Sequence, residues 1–295
     1  MQIDAVYLLQ LALNGLMLGL IYALIAAGLS LIFGVLEIIN FAHGEVLMVG
    51  AFAMAFAIPA FNGHYLPAVL TAMAASAVLG LILYDGFLVR LREKDFEGSI
   101  LITTGLSMVL LYGAQYLFSS TPRMVSTDLG MAGVQIGAVR ITWTRVAACA
   151  IAVAAFGGLW LVLYRTQLGR AMRAVAINRE AALMVGIRPR SVARNAVVIA
   201  TMLAGLAGAA LAPVHLVQPI MGQFLIFKAF ALVVIGGLGS VSGAIVAGLL
   251  LGVIESWVGG FFSIIWQETA GFVIMILILL FRPHGLFGRG NMRVG

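Results

Sequence analysis

From residue 5 to residue 36 the chain carries no Asp, Glu, Lys or Arg, and six more uncharged stretches follow at 46–84, 98–122, 146–164, 195–227, 229–254 and 269–281. A helix needs about 20 apolar residues to cross a bilayer, so most of these stretches can span, and 46–84 has room for two passes. Ile58-Pro59 and Asn62-Gly63-His64 divide that long stretch, because proline and Asn-Gly favour a turn. Helices are therefore expected near 8–33, 43–60, 66–89, 98–119, 143–164, 195–217, 228–254 and 261–281. Unbroken runs of this length favour helices over barrel strands, which alternate apolar and polar positions over about ten residues. The fold class expected is all-α: a polytopic membrane helical bundle of about eight hydrophobic elements, some discontinuous or re-entrant, in one transmembrane domain over 1–295.

Composition excludes the competing classes. Apolar residues make up 63% of the chain and charged residues 9%, where a soluble domain averages about 25% charged. Too few charges exist to coat a water-facing surface, which rules out a soluble enzyme and intrinsic disorder. The single cysteine, Cys149, cannot form an internal disulfide. The N-terminal Met1-Gln2-Ile3-Asp4 lacks the basic region of a secretory signal, and the apolar run behind it is about twice the usual signal length of roughly 7–15 residues.

The net charge of +6 records orientation rather than affinity for nucleic acid, because 13 of the 17 basic residues fall in three places. These are Arg90, Arg92 and Lys94; Arg165, Arg170, Arg173, Arg179, Arg188, Arg190 and Arg194; and Arg282, Arg289 and Arg293. The positive-inside rule puts all three groups in the cytoplasm and the segment 121–144 outside. A parity problem follows. From Arg194 to a cytoplasmic tail the chain must cross an even number of times, yet three elements are expected there. The element at 228–254 is the candidate for an incomplete, re-entrant crossing, because Gly236, Gly237 and Gly239 interrupt it. A second interruption, at 37–45, holds Glu37, Asn40, His43 and Glu45 between apolar runs, and polar groups near the bilayer are costly and usually face a cavity, a partner or the interface.

The segment 165–194 is the richest in side-chain chemistry. Met172, Ala176, Leu183 and Ile187 fall on one helical face with arginines around the rest, Pro189 is expected to end the pattern, and Ser191 to cap the next helix. A basic amphipathic helix lying on anionic lipid would look like this. So would a docking helix, in which the small Ala181, Ala182 and Gly186 admit a partner's backbone and Glu180 pairs with a basic group. Other chemistry is absent from the pattern. Neither lysine, Lys94 or Lys228, follows a glycine, so no phosphate-cradling G-x-x-x-x-G-K-[ST] exists. His43, His64, His215 and His284 are scattered and no H-E-x-x-H occurs, so no metal, other cofactor or catalytic residue is expected. The spacings Gly15…Gly19, Gly205…Ala209, Gly239…Gly243 and Gly248…Gly252 are small-xxx-small patterns that let helices approach.

Glu180-Ala181-Ala182-x-x-x-Gly186 resembles the coupling loop of ATP-binding cassette importer permeases. The run from Gly19 to Gly34, the motif Ile39-Asn40-Phe41-Ala42-His43-Gly44-Glu45, the run from Ala231 to Ala244 and the closing Arg282-Pro283-His284-Gly285-Leu286-Phe287-Gly288 are similar to the branched-chain amino acid permease family, its LivH-type subunits above all. The resemblance implies a bacterial inner-membrane subunit paired with a second, related permease, two cytoplasmic ATPases and a periplasmic binding protein. It implies a coupling loop at 165–194 with Arg173, Glu180, Ala181, Ala182 and Gly186 as coupling residues. The implied cargo is Leu, Ile and Val, although related permeases take other amino acids, urea or short amides, with selectivity mostly in the binding protein. The two breaks, at Asn40, His43 and Glu45 and at Gly236, Gly237 and Gly239, are the candidates for the translocation pathway. A carrier working without ATPases is the alternative. It would need buried carboxylates, and Glu37, Glu45, Glu255 and Glu268 all sit near expected helix ends.

Overall fold

The computed structural model describes residues 5–91, 96–130, 133–136, 139–282 and 285–287. Of the residues singled out above, Met1, Gln2, Ile3, Asp4, Arg92, Lys94, Pro283, His284, Gly288, Arg289 and Arg293 lie outside them. The chain is a helical bundle: α1 (Ala5–Leu36), α2 (His43–Ala60), α3 (Tyr65–Gly86), α4 (Phe96–Phe118), α5 (Trp143–Arg165), α6 (Gln167–Ile177), α7 (Arg179–Met184), α8 (Pro189–Leu211), α9 (Met221–Gly236), α10 (Val241–Phe261) and α11 (Ile264–Phe281). Among the described residues eight of these segments are long and apolar enough to span a membrane, and α9 is a shorter apolar helix. A small antiparallel hairpin, β1 (Gly133–Ile136) with β2 (Val139–Thr142), leads into α5. The composition rules out water as the surrounding solvent, so this is a multi-pass membrane protein.

Glycine sets the central contact. Helices α1 and α10 run antiparallel, with Gly15 against Gly252 and Gly19 against Gly248, close enough that a Cβ on Gly15 would stand 2.6 Å from the backbone of α10, and Gly34 meets Gly239 in the turn just before α10. Small residues at these positions let the two backbones touch where lipid supplies no hydrophobic drive for association. Three of the four small-residue spacings thus act inside the chain. The fourth does too, since Gly205 packs on Ser76 and Ala72 of α3.

Two crossings are broken. After α1 the chain turns at Glu37, whose φ is +54°, and climbs back into the bundle without helical structure. Thr103 of α4 holds this stretch of chain by accepting from the Phe41 amide at 3.1 Å, while its own hydroxyl donates to the Ser99 carbonyl at 2.7 Å. Helix α2 therefore begins beside Ile25, whose carbonyl lies 3.3 Å from His43 Nε2. Ile25 is eleven residues short of the end of α1, or about 16 Å at a rise of 1.5 Å per residue. The other end of the bundle repeats the device. Helix α8 ends at Leu211, the chain pairs briefly with Arg123 through Val217, and α9 begins at depth, its Gly222 against Gly44.

The parity problem resolves differently from the expectation. The stretch 228–254 is not one re-entrant element but parts of two helices, reversed at Gly237 and Gly239, whose φ values of +100° and +78° are those of the left-handed half of the map. Helix α10, 21 residues long, is a full span by itself. After α11 the chain returns to the same tip, where Leu286 and Phe287 donate to the carbonyls of Ile235 and Gly236. Four passes follow Arg194, an even number, and residues 285–287 lie on the arginine-rich side. The helix expected at 195–217 is also displaced: α8 starts at Pro189, whose missing N–H costs nothing at a first helical position, so Pro189 opens a helix rather than closing one and Ser191 lies inside it.

Candidate functional site

Three places combine polar chemistry with unusual burial or exposure. The first is the arginine-rich end. Thr166 caps α6 by accepting from the Gly169 amide at 3.1 Å, and Met172 and Val175 turn inward. The expected single face does not continue, because the helix stops at Ile177. Asn178 then caps a separate helix, its Oδ1 accepting from the Ala181 amide at 2.9 Å. Helix α7 closes on Gly186 at φ +82°, with the Gly186 and Ile187 amides donating to Leu183 and Ala182. As a result Ala176 and Leu183 face outward, not into the bundle with Met172. Ala182 is buried, while Glu180, Ala181 and Gly186 are exposed. Around them stand Ile177, Leu183, Met184 and Val185, with Met184 88% exposed. Arg173 is not part of that tip: it donates to the Leu163 carbonyl and its guanidinium lies 5.2 Å over the Tyr164 ring, bound back onto α5.

The second place is the meeting of the α2 and α9 N-termini at depth. Asn40 Oδ1 accepts from the Ala42 amide at 3.1 Å, which leaves Nδ2 without a hydrogen-bond partner. His43 donates from Nε2 to Ile25, which leaves Nδ1 bare. Glu45 Oε1 accepts from Ser107 at 3.2 Å, and Oε2 has no partner. All three residues are buried to within 1% of completely. The carboxylate rests on α9: a Cβ on Gly222 would come within 2.5 Å of Glu45 Oε2. Asn40, His43 and Glu45 thus share one buried segment but not one contact: His43 turns to Ile25 and Gly28 of α1, and Glu45 to Ser107 of α4 and Gly222 of α9. Gly236, Gly237 and Gly239 are not part of this group. They form the hairpin tip at the far end of α9, about 20 Å away along a helix of 16 residues.

The third place escaped the sequence reading. Lys228 Nζ lies 3.1 Å from Glu255 Oε2 and 3.0 Å from the Tyr22 hydroxyl, which itself donates to Glu255 Oε2 at 3.0 Å. Glu255 is wholly buried within α10, two turns from its end rather than at an interface. The signal was available: Lys228 is the one charge between two apolar stretches, and a lone lysine there needs an acid.

Comparison with known proteins agrees with this architecture. The family model described as "Branched-chain amino acid transport system / permease component" matches residues 11–281. The chain is 31% identical over 294 residues to the high-affinity branched-chain amino acid transport system permease protein BraD of Pseudomonas aeruginosa, covering 95% of this chain and 96% of that one. It is 28% identical over 296 residues to the corresponding permease protein LivH of Escherichia coli K12, covering 96% of each. A shorter likeness, 34% over 139 residues and 44% of this chain, reaches the ribose import permease protein RbsC of Bacillus subtilis, of which it covers 43%. With eight helices among the described residues long and apolar enough to span, two broken crossings and a family match over nearly its whole length, the chain belongs to the branched-chain amino acid transport system permease family.

Proposed function

We propose that this chain is one of two related permease subunits in an ATP-driven importer that carries Leu, Ile and Val across the bacterial inner membrane. Two cytoplasmic ATPases, a second permease and a periplasmic binding protein complete it, and ATP hydrolysis takes place in the ATPase subunits. The observation that carries this reading is the tip of α7. A short capped helix on the arginine-rich side presents Glu180 and Ala181 among the exposed Ile177, Leu183, Met184 and Val185. Apolar side chains held out beyond the spans, next to a carboxylate, suit a groove on another protein.

Coupling then works by a shift in population. Nucleotide binding closes the ATPases, α7 moves with them, and its links through α6 and α8 tip the bundle between access states. Branched-chain amino acids are zwitterions with apolar tails, so their path needs apolar walls and a few dipoles, which broken helices supply. The break at Asn40, His43 and Glu45 serves that path, and the tip at Gly236, Gly237 and Gly239 serves as its cytoplasmic hinge.

One observation favours a second reading, a carrier that runs on an ion gradient: Glu45 and Glu255 are buried at depth, where ion-coupled carriers keep their carboxylates. Co-purification separates the two. A Glu180→Arg chain should fold, insert and lose its ATPase partner. An ATPase complex retained with uptake unchanged would contradict the coupling role.

A further inference from the structure

Among the described residues two carboxylates are completely buried, Glu45 and Glu255, and they are treated differently. Glu255 also has one bare oxygen, Oε1, but its charge is met on Oε2 by a cation, Lys228, and a second donor, Tyr22. Among the described residues Glu45 has only the Ser107 hydroxyl on one oxygen and nothing on the other. A bare acceptor in a dry interior is costly, and groups left so are kept for a ligand or a moving part. Three facts locate this one. It sits where two helices begin at depth. The Gly44 and Gly222 backbones close over it so tightly that neither position has room for a side chain. Asn40 Nδ2 and His43 Nδ1, equally buried, also stand without partners in the same short segment.

We infer that Glu45 is the group that receives the ammonium of an α-amino acid during passage, and that the Gly44–Gly222 contact is the gate that covers it at rest. The inference rests on the function proposed above and deepens it by naming the recognised chemistry. An α-amino acid carries its ammonium and its carboxylate on one carbon, so a site for it must offer opposite polarities side by side. Glu45 supplies the negative side. The α9 N-terminus, with its partial positive charge, supplies the positive side. In the resting chain Glu45 itself lies against that N-terminus. When α9 parts from α2, the substrate carboxylate takes the place at the N-terminus and its ammonium takes the Glu45 oxygen that now lacks a donor. Urea and short amides have no formal charge to match such a site.

The complete importer, reconstituted in vesicles with its binding protein, tests this. Glu45→Gln should assemble and keep binding-protein-stimulated ATP hydrolysis, while leucine uptake falls about tenfold or more, the scale set by losing a charge-assisted bond. Glu45→Asp should restore part of the uptake. Uptake by Glu45→Gln within about twofold of wild type, on the same scale, overturns the inference, and so does equal loss of uptake and hydrolysis, which marks a structural residue. Should Glu45→Gln fail to assemble, Ser107→Ala decides: leucine uptake falls if Glu45 must be held in place, and unchanged uptake counts against it. A wild-type importer that hydrolyses ATP but never moves leucine would instead sink the function and this inference with it.

Discussion

Lys228 and Glu255 face each other across the α9–α10 hairpin at 3.1 Å, the lysine side chain 12% exposed and the glutamate not at all. Tyr22 closes the group from α1, its ring 5.1 Å from Lys228 Nζ. One ion pair thus ties the short broken-crossing helix to the two long helices at the centre of the bundle. Removing one partner leaves a charge in a dry interior, whereas removing both does not.

Lys228→Met should therefore lower the stability of the purified chain by about 3–5 kcal/mol, and the double variant Lys228→Met with Glu255→Gln should recover most of it. Thermal unfolding in detergent measures both. Equal losses in the single and double variants would show that the pair is not the cause.

Glycines divide by their surroundings. Gly248→Val drives a side chain into the backbone of Ala23 and should cost about 2 kcal/mol or more. Gly105 of α4 has nothing within 4 Å of where a Cβ would stand, so Gly105→Ala should be neutral or stabilising by up to about 1 kcal/mol. The same unfolding assay ranks them.

Asn178→Ala removes the cap of α7, worth about 1 kcal/mol locally. Amide exchange at 179–184 should quicken while exchange in α8 stays unchanged, and coupled uptake should fall without loss of assembly. Asn178→Asp, which keeps the accepting oxygen, should behave as wild type.

His215 lies in the loop between α8 and α9. Desolvation by the protein around it, then the positive charges of Arg145 and Lys228, hold its imidazole below the ordinary range, with Glu268 opposing. The unfolded chain therefore takes up this proton first as pH falls. The stability that neutral His215 contributes is present above the ordinary range and is lost as pH drops through it towards the lowered value. His215→Gln should flatten the stability profile as pH falls below about 7, relative to wild type. A profile of unchanged slope would contradict the assignment.

Much of the bundle was legible because apolar runs between charges mark spans directly. The break at Gly236–Gly239 was legible because adjacent glycines stop a helix, and the break at 37–45 because polar residues do not otherwise enter such a run. What glycines alone cannot say is whether a broken stretch reverses or re-enters, and the reversal at Gly237 depends on Gly34 of α1 meeting Gly239. The split at Asn178 was hidden by an amphipathic period that runs on through it, although Asn followed by Glu180 is a capping pattern. The burial of Glu45 and Glu255 was hidden because both were expected near helix ends at the membrane surface. One helix end lies at depth instead, and Lys228 reaches the other carboxylate from 27 residues away. No local pattern reports a pairing of that kind.

The central claim is that α7 is moved by a separate ATPase and that the chain moves nothing alone. Leucine uptake into sealed vesicles tests it most directly, with this chain alone set against the chain reconstituted with its sister permease, ATPases and binding protein. The account predicts uptake only in the complete set and only with ATP on the ATPase side. Accumulation of leucine against a gradient by the lone chain would contradict it.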